Sequence, residues 1–450
     1  MFQKILIANR GEIAVRVVRA CREMGIAPLA IYSEADEEAL HVRLSDSAFP
    51  CGAAPARDSY LVAERVVEIA QREGADAIHP GYGFLSENAD FADRCEAAGV
   101  RFIGPSGAVI RAMGDKITAR QTMASAGVAV VPGTTEPIAD EEAAGVAESL
   151  GYPVLVKASA GGGGKGMRRV DDPAQLAQAL ERVRGEAASA FGNATLYLEK
   201  FVENPRHIEV QFLADSHGNA LHLGERECSI QRRHQKLIEE APGNHIDPEL
   251  RAELGRAAVT AAKAVGYCGV GTCEFLVNQA GDFYFLEMNT RIQVEHAITE
   301  AITGVDIVVE MIRIAAGEPL QISESDVEFS GHAIEARIYA ENPDKSFIPS
   351  PGLIEVYVPP TGPGIRVDSG VEQGTRVTTH YDPLIAKLIA WGSDREESIA
   401  RLDRALEEYD IQGIATSISF HRKALRQPEF VSGHYTTDFV ETVIKRERSS

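Results

Sequence analysis

Three stretches of this 450-residue chain gather residue types able to handle phosphate, a divalent cation and a small anion. The first is Ser159-Ala-Gly-Gly-Gly-Gly-Lys-Gly-Met-Arg168. Consecutive Gly161, Gly162, Gly163 and Gly164 cost chain entropy and leave backbone N–H groups free to close over phosphate oxygens. A Walker A loop does not fit. Ser159 stands where its first glycine belongs, and Gly166 follows Lys165 where a Ser or Thr would hold magnesium. Gly161-x-Gly163-x-x-Gly166 meets the bare dinucleotide pattern, but Met167–Val170 reads as a returning strand, not a helix start. What remains is a glycine hairpin able to cover phosphate as a lid, with a plain surface hairpin as the bland alternative.

The second stretch is a hairpin over 272–277 and 283–289. A four-residue loop at 279–282 would set Glu274 opposite Glu287, with Asn289 two residues on along the same face. Opposed like charges destabilise a strand pair, and a divalent cation held by these oxygens, with a nucleotide phosphate, would relieve the conflict. A five-residue loop would instead pair Glu274 with Leu286 and favour a solvated face. The third stretch follows directly. Arg291, Gln293 and Glu295 alternate with Ile292 and Val294, presenting together a planar guanidinium suited to a carboxylate-like anion and a carboxylate able to take its proton.

The elements that must position these groups change character along the chain. Strands at 4–8, 27–32 and 77–79 alternate with helices at 12–24 and 60–73, the pattern of a parallel, doubly wound sheet. The first turn, Asn9-Arg10-Gly11-Glu12, has a single glycine and argues against a dinucleotide there. A compact inserted unit follows: helix 141–150, strand 153–158, the glycines, helix 173–188 and strand 195–200. Beyond it the strands read as antiparallel. Over 207–213, His207, Glu209 and Gln211 face one way and Ile208, Val210 and Phe212 the other. A helix at 248–265 comes next, and the last hundred residues carry strands at 332–339, 352–358 and 386–391 before a helix at 396–409. The expected fold class is α/β passing into α+β. Lys157 ends an apolar strand, where an unpaired ammonium would be costly and a phosphate would relieve it.

Composition narrows the partners. The net charge of −21 disfavours nucleic acid and anionic membranes and requires any anion site to concentrate cations locally. The dense run Gln231-Arg-Arg-His-Gln-Lys236 is one such place. No apolar run approaches membrane length and no cleavable leader is visible, so a reducing cytoplasm is expected, with the six cysteines as buried thiols.

Several segments together resemble one family. They are Ile7-Ala-Asn-Arg-Gly-Glu-Ile-Ala14, His79-Pro-Gly-Tyr-Gly-Phe-Leu-Ser-Glu-Asn88, Met113-Gly-Asp-Lys116, the glycine stretch, Arg226-Glu-Cys-Ser-Ile-Gln-Arg-Arg-His-Gln-Lys236 and Glu287-Met-Asn-Thr-Arg-Ile-Gln-Val-Glu-His296. The chain resembles biotin carboxylases of the ATP-grasp superfamily from Phe2 to about Gly413. The resemblance implies an N-terminal domain over 1–114, an ATP-grasp domain over 115–330 with its lid at about 131–203, and an antiparallel C-terminal domain over 331–450. It implies that ATP is bound by Lys116, Lys157, Gly161–Gly164, Glu199, Lys200, Phe201, Val202, His207, Gln231, His234 and Leu276. Glu274, Glu287 and Asn289 would hold Mg²⁺ or Mn²⁺. Lys236, Arg291, Gln293 and Val294 would seat bicarbonate, with Glu295 as its base, and Tyr82, Gly83 and Arg337 would meet biotin, Arg337 stabilising its enolate.

Ala297 departs from the family, which usually has proline there. No methionine is followed by lysine, so the biotin is expected on a separate carrier protein, with a carboxyltransferase on another chain and a homodimer as the implied assembly. The implied reaction is the first half-reaction of acetyl-CoA carboxylase in fatty acid synthesis. Alternatives are the same component of a propionyl-CoA, methylcrotonyl-CoA or pyruvate carboxylase, another ATP-grasp ligase, and a non-catalytic nucleotide-binding subunit.

Overall fold

A computed structural model describes residues 1–159 and 166–449. The first hundred residues form a five-stranded, wholly parallel sheet in which Lys4–Ile7 lies between Ala27–Ser33 and Ala77–His79, with Ser47–Gly52 and Arg101–Phe102 at the edges. Its central strands are buried on both faces, which is why they read as short unbroken apolar runs.

The inserted unit is a three-stranded antiparallel sheet, with Val154–Ala158 between Met167–Val170 and Leu196–Lys200. Helices Asp140–Leu150 and Pro173–Phe191 flank it around Val154, Val156, Leu180, Val183 and Leu198.

One eight-stranded antiparallel sheet carries the rest. In spatial order its strands are Phe283–Asn289, Gly269–Val277, Arg206–Ala214, Ala220–Arg232, Gln235–Ala241, His332–Tyr339, Leu384–Gly392 and Ile365–Ser369. Helix Pro248–Ala264 starts cleanly because Pro248 needs no N–H there and Asp247 caps the Leu250 N–H. Its Leu254, Ala258 and Ala261 cover Ile208, Val210, Phe212 and Phe275. Each large apolar side chain so buried contributes about 1.5–3 kcal/mol. Helix Arg395–Glu408 does the same at the other end, packing Leu402 and Leu406 on Ile334, Leu388 and Ala390.

With one face committed to helices, the other is left to polar side chains, and these too are buried. The continuous strand expected over 352–358 is instead two short ones, Gly352–Leu353 and Val356–Val358, each pairing with a different partner. Among the described residues no helix is long and apolar enough to cross a membrane.

Candidate active site

The polar face is built by register. Glu287, Glu274, Glu209 and Arg226 lie side by side across four strands, and Asn289, Thr272 and Gln211 form the next row. Leu276 and His207 pair one step the other way. Glu274 does meet Glu287, though not by a four-residue loop. The loop is five residues, with Val277 paired to Phe283, and a bulge between Glu274 and Phe275 restores the pairing by skipping Leu286. Bulges re-aim side chains, and here one converts the solvated-face register into the acidic one.

Glu274 is heavily compensated. His207 Nε2 lies 2.8 Å from one carboxylate oxygen, and Lys236 Nζ (3.2 Å), Asn289 (2.8 Å) and Gln293 (3.0 Å) donate to the other. Burial would push this carboxyl up, but Lys236 and His207 outweigh it and hold it far below the ordinary range. Glu287 makes no ion pair among the described residues, and burial plus its neighbour Glu274 push it up against the pull of Lys116. An all-oxygen set with one carboxylate left uncompensated fits Mg²⁺ or Mn²⁺, and the deficit is at Glu287, which lacks a cation.

Toward the middle of the sheet the balance reverses. Glu295 accepts from Lys236 (2.8 Å) on one oxygen and from Arg337 (2.9 Å) on the other. Burial alone would raise its proton affinity, but Lys236, Arg337 and Arg226 drive it well below the usual value. Lys236 also donates to Glu209, and Arg337 Nε to Glu239 at 2.6 Å. Arg226 is wholly buried and ties the floor together, donating to Gln211, Thr299, Glu209, Thr272 and Gln293.

Arg291 departs from the sequence expectation. The strand ends at Asn289, so 291–295 is a turn, not an alternating extension. Its Nε meets Glu87 at 3.0 Å and its guanidinium braces Asn289 Oδ1 at 2.8 Å, while, against the effect of burial, the charges of Glu87 and Glu295 both raise its proton affinity. Arg337 and Glu335 share a strand, His332–Tyr339, but form no ion pair with each other. Both are buried, and neither Glu335 oxygen has a hydrogen-bond partner among the described residues.

The nucleotide candidates form a second group beside Glu287. Lys157, for which a phosphate partner is expected at the strand end, already has a carboxylate one. Glu199 holds it at 2.5 Å while taking Arg120 on its other oxygen at 2.7 Å. Half-buried Lys116 has its proton affinity lowered by burial and by Lys157, against the opposing pull of Glu287. Lys200 places its ammonium on the Gly151 (2.7 Å) and Tyr152 (3.2 Å) carbonyls, and Phe201 lies under the Arg169 guanidinium. Half-buried Val202 then leads out of the inserted unit. Gln231 approaches His207 at 3.4 Å, and His234 sits at the exposed hairpin tip with φ 66°. Gly161–Gly164 lie outside the described residues.

Tyr82 and Gly83 come from the parallel-sheet domain. Asn9 holds their loop by donating 2.7 Å bonds to the Pro80 and Tyr82 carbonyls, and a Cβ on Gly81 would strike that Asn9 amide at 2.9 Å. Gly83 has φ 67° and open space around it, so the loop presents bare backbone. The Tyr82 hydroxyl turns inward to Glu12.

Several residues of the site escaped sequence reasoning: Glu209, Arg226, Glu87, Glu239, Glu12 and Lys387. Glu12, Glu87 and Arg226 do lie inside three of the quoted segments, and Lys387 is the one charge in an apolar strand. Only pairings between positions far apart in the chain, such as Arg291 with Glu87 and Lys387 with Glu12, reveal their partners.

A buried carboxylate-rich face beside the lysines Lys116 and Lys157 is the arrangement of an enzyme that activates a small anion with a phosphate donor. Residues 1–110 match the family described as biotin carboxylase, N-terminal domain, residues 115–323 that of the carbamoyl-phosphate synthase L chain, ATP binding domain, and 335–442 the biotin carboxylase C-terminal domain. The chain is 56% identical to a pyruvate carboxylase subunit of Methanothermobacter thermautotrophicus over 98% of its own length and 90% of that protein's. It is 54% identical to biotin carboxylase 1 of Bacillus subtilis, covering 98% and 99%. The biotin carboxylase domain dimer of Hydrogenobacter thermophilus 2-oxoglutarate carboxylase, solved with MgADP, ADP and bicarbonate, superposes with a TM-score of 0.95 at 51% identity over 98% of both chains. The chain belongs to the biotin carboxylase family.

Proposed function

We propose that this enzyme uses ATP and bicarbonate to carboxylate biotin presented by a separate carrier protein, through carboxyphosphate. The observation that carries this reading is Glu295 held between Lys236 and Arg337, with Gln293 and the Val294 carbonyl alongside. Paired in this way, the two cations suppress the basicity of Glu295. Bicarbonate arriving on Lys236, with Arg291, Gln293 and Val294 completing its seat, draws that cation away, so Glu295 gains proton affinity as its substrate binds. The deprotonated anion then attacks the γ-phosphate of ATP. Lys116, Lys157 and Gly161–Gly164 meet the phosphates, and Glu199, Lys200, Phe201, Val202, His207, Gln231, His234 and Leu276 frame the rest of the nucleotide. Glu274, Glu287 and Asn289 would hold Mg²⁺, which supplies charge neutralisation to the phosphates. Carboxyphosphate breaks to CO₂ and phosphate, the phosphate takes the proton from biotin N1′, and the resulting enolate captures CO₂. Arg337, swung from Glu295, faces the enolate oxygen, while Tyr82 and Gly83 seat the ring.

Membership of an acetyl-CoA carboxylase is the first reading, alongside relatives named only biotin carboxylase in B. subtilis and Nostoc, which the chain covers over 99% and 100% of their lengths. The identity to a pyruvate carboxylase component of M. thermautotrophicus supports a keto-acid acceptor as the second reading. A homodimer is part of the proposal, as are domain divisions at 114/115 and 330/331 with a lid at about 131–203. A non-catalytic role is disfavoured because Glu295, Arg337, Lys236 and the acidic set are all present.

The test is oxygen tracing. With ¹⁸O-bicarbonate, ATP and biotin, one bicarbonate oxygen is expected in the released phosphate, and unlabelled phosphate overturns the carboxyphosphate route. Supplying carboxylated carrier to separate acetyl-CoA and pyruvate carboxyltransferases decides the acceptor.

A further inference from the structure

Lys387 has no solvent exposure, although it carries a charge in the middle of the strand Leu384–Gly392. A buried ammonium persists only when it is matched and hydrogen-bonded. Its Nζ donates to the Val294 carbonyl at 2.6 Å, lies 3.4 Å from Glu12 Oε2 and 3.8 Å from Asp368 Oδ2. Burial would strip its proton, but Glu12, Glu335 and Asp368 outweigh that and keep it charged. The other oxygen of Glu12 accepts the Tyr82 hydroxyl.

One nitrogen thus reaches in two directions. One arm fixes the backbone between Gln293 and Glu295. The other passes through Glu12, on helix Gly11–Glu23, to Tyr82 in the loop after Ala77–His79. Directly opposite Lys387 in register stands Arg337. Two cations facing each other across a strand pair repel. Asp368, opposite Lys387 on the other side, offsets this. Yet a buried ion set of this kind is commonly no more stable than a well-packed neutral residue, so packing alone does not call for it. The three elements joined come from the parallel sheet, the Glu287–Glu295 segment and the C-terminal strands.

We infer that Lys387 is a positioning residue that ties the bicarbonate loop to the biotin loop and sets the distance between Glu295 and Tyr82. This rests on the assignment of those two loops under the proposed function. Glu12 is the connecting link: without it Lys387 still holds Val294 but no longer Tyr82.

Steady-state kinetics on two variants separate this from a merely structural role. Glu12→Gln leaves the ammonium satisfied by Val294 and Asp368, and is expected to raise the KM for free biotin about tenfold while the KM for bicarbonate and ATP stay within about twofold. Lys387→Met is expected to raise the KM for both biotin and bicarbonate by about tenfold or more, with that for ATP again unmoved, and to lower the carboxybiotin formed per ATP cleaved. A fall in melting temperature with all three KM values unchanged, or a parallel rise in all three, overturns the inference. Should Lys387→Met not fold, Glu12→Gln decides alone: an unchanged biotin KM rejects the coupling. Wild-type enzyme that fails to carboxylate biotin would reject the functional assignment instead, and is measured first.

Discussion

The two ends of the active-site face solve the same problem in opposite ways. At the edge, Glu287 is pushed up by burial and by Glu274 and has no ion-pair partner among the described residues. Near the middle, Glu295 is held far down by Lys236, Arg337 and Arg226. Both lie against one continuous sheet, and depth alone does not set their state. Register does. The edge rows bring carboxylate to carboxylate, whereas the hairpin Ala220–Arg232/Gln235–Ala241 and the strand His332–Tyr339 deliver cations. The edge needs a cation from solution. The middle has cations already and must be opened by an anionic substrate.

The sharpest way to break this contrast is at Glu295. Glu295→Gln keeps the shape but removes the base and is expected to lower kcat for bicarbonate-dependent ATP cleavage by about 10²–10⁴-fold. Loss of less than tenfold in that assay would remove Glu295 from the proton transfer. Next comes Arg337→Ala, with carboxybiotin formation expected to fall about 10²–10³-fold and ATP cleavage much less. Because Glu239 and Glu295 then lose their partner, chemical denaturation should also show a stability loss of about 3–5 kcal/mol.

At the edge, Glu287→Gln is expected to raise the Mg²⁺ concentration for half-maximal activity by about 10–100-fold, read by titration at saturating ATP. A parallel shift in the Mg²⁺ requirement of Glu295→Gln would erase the distinction between the two ends.

Glu335 gives the smallest effect. Burial, with repulsion from Glu239 opposite it, raises this carboxyl well above its ordinary value despite Lys387 and Arg337. A folded-state value above the unfolded ~4.3 means the bound proton stabilises the fold at low pH, and this is lost as pH rises through the raised value. Glu335→Gln should therefore become more stable relative to wild type as pH increases from the unfolded ~4.3 toward the raised folded value, by about 1.4 kcal/mol per pH unit within that window in urea titrations. A difference independent of pH would show that Glu335 is ionised throughout.

The opposing faces of the strand Arg206–Ala214 were legible in its alternation, because period two survives whatever lies beyond. What alternation could not show was that the face bearing His207, Glu209 and Gln211 is buried. The pairing of Glu274 with Glu287 was legible only as one of two registers, and the bulge that decides it has no sequence signal. The Glu199 partner of Lys157 is hidden from the sequence because it lies on a different strand, and the end of the strand at Asn289 leaves no alternation signal to show that Arg291 pairs with Glu87. The parallel N-terminal sheet was readable from strand–helix alternation, while Lys387, Glu239 and Glu12 acquire meaning only through partners dozens to hundreds of positions away.

The most direct test of the proposed activity is ATP cleavage by the purified wild-type enzyme with Mg²⁺, measured with and without bicarbonate and with and without free biotin. Cleavage is expected to require bicarbonate, to rise when biotin is added and to yield carboxybiotin. Cleavage indifferent to both additions, or biotin left uncarboxylated, would contradict it.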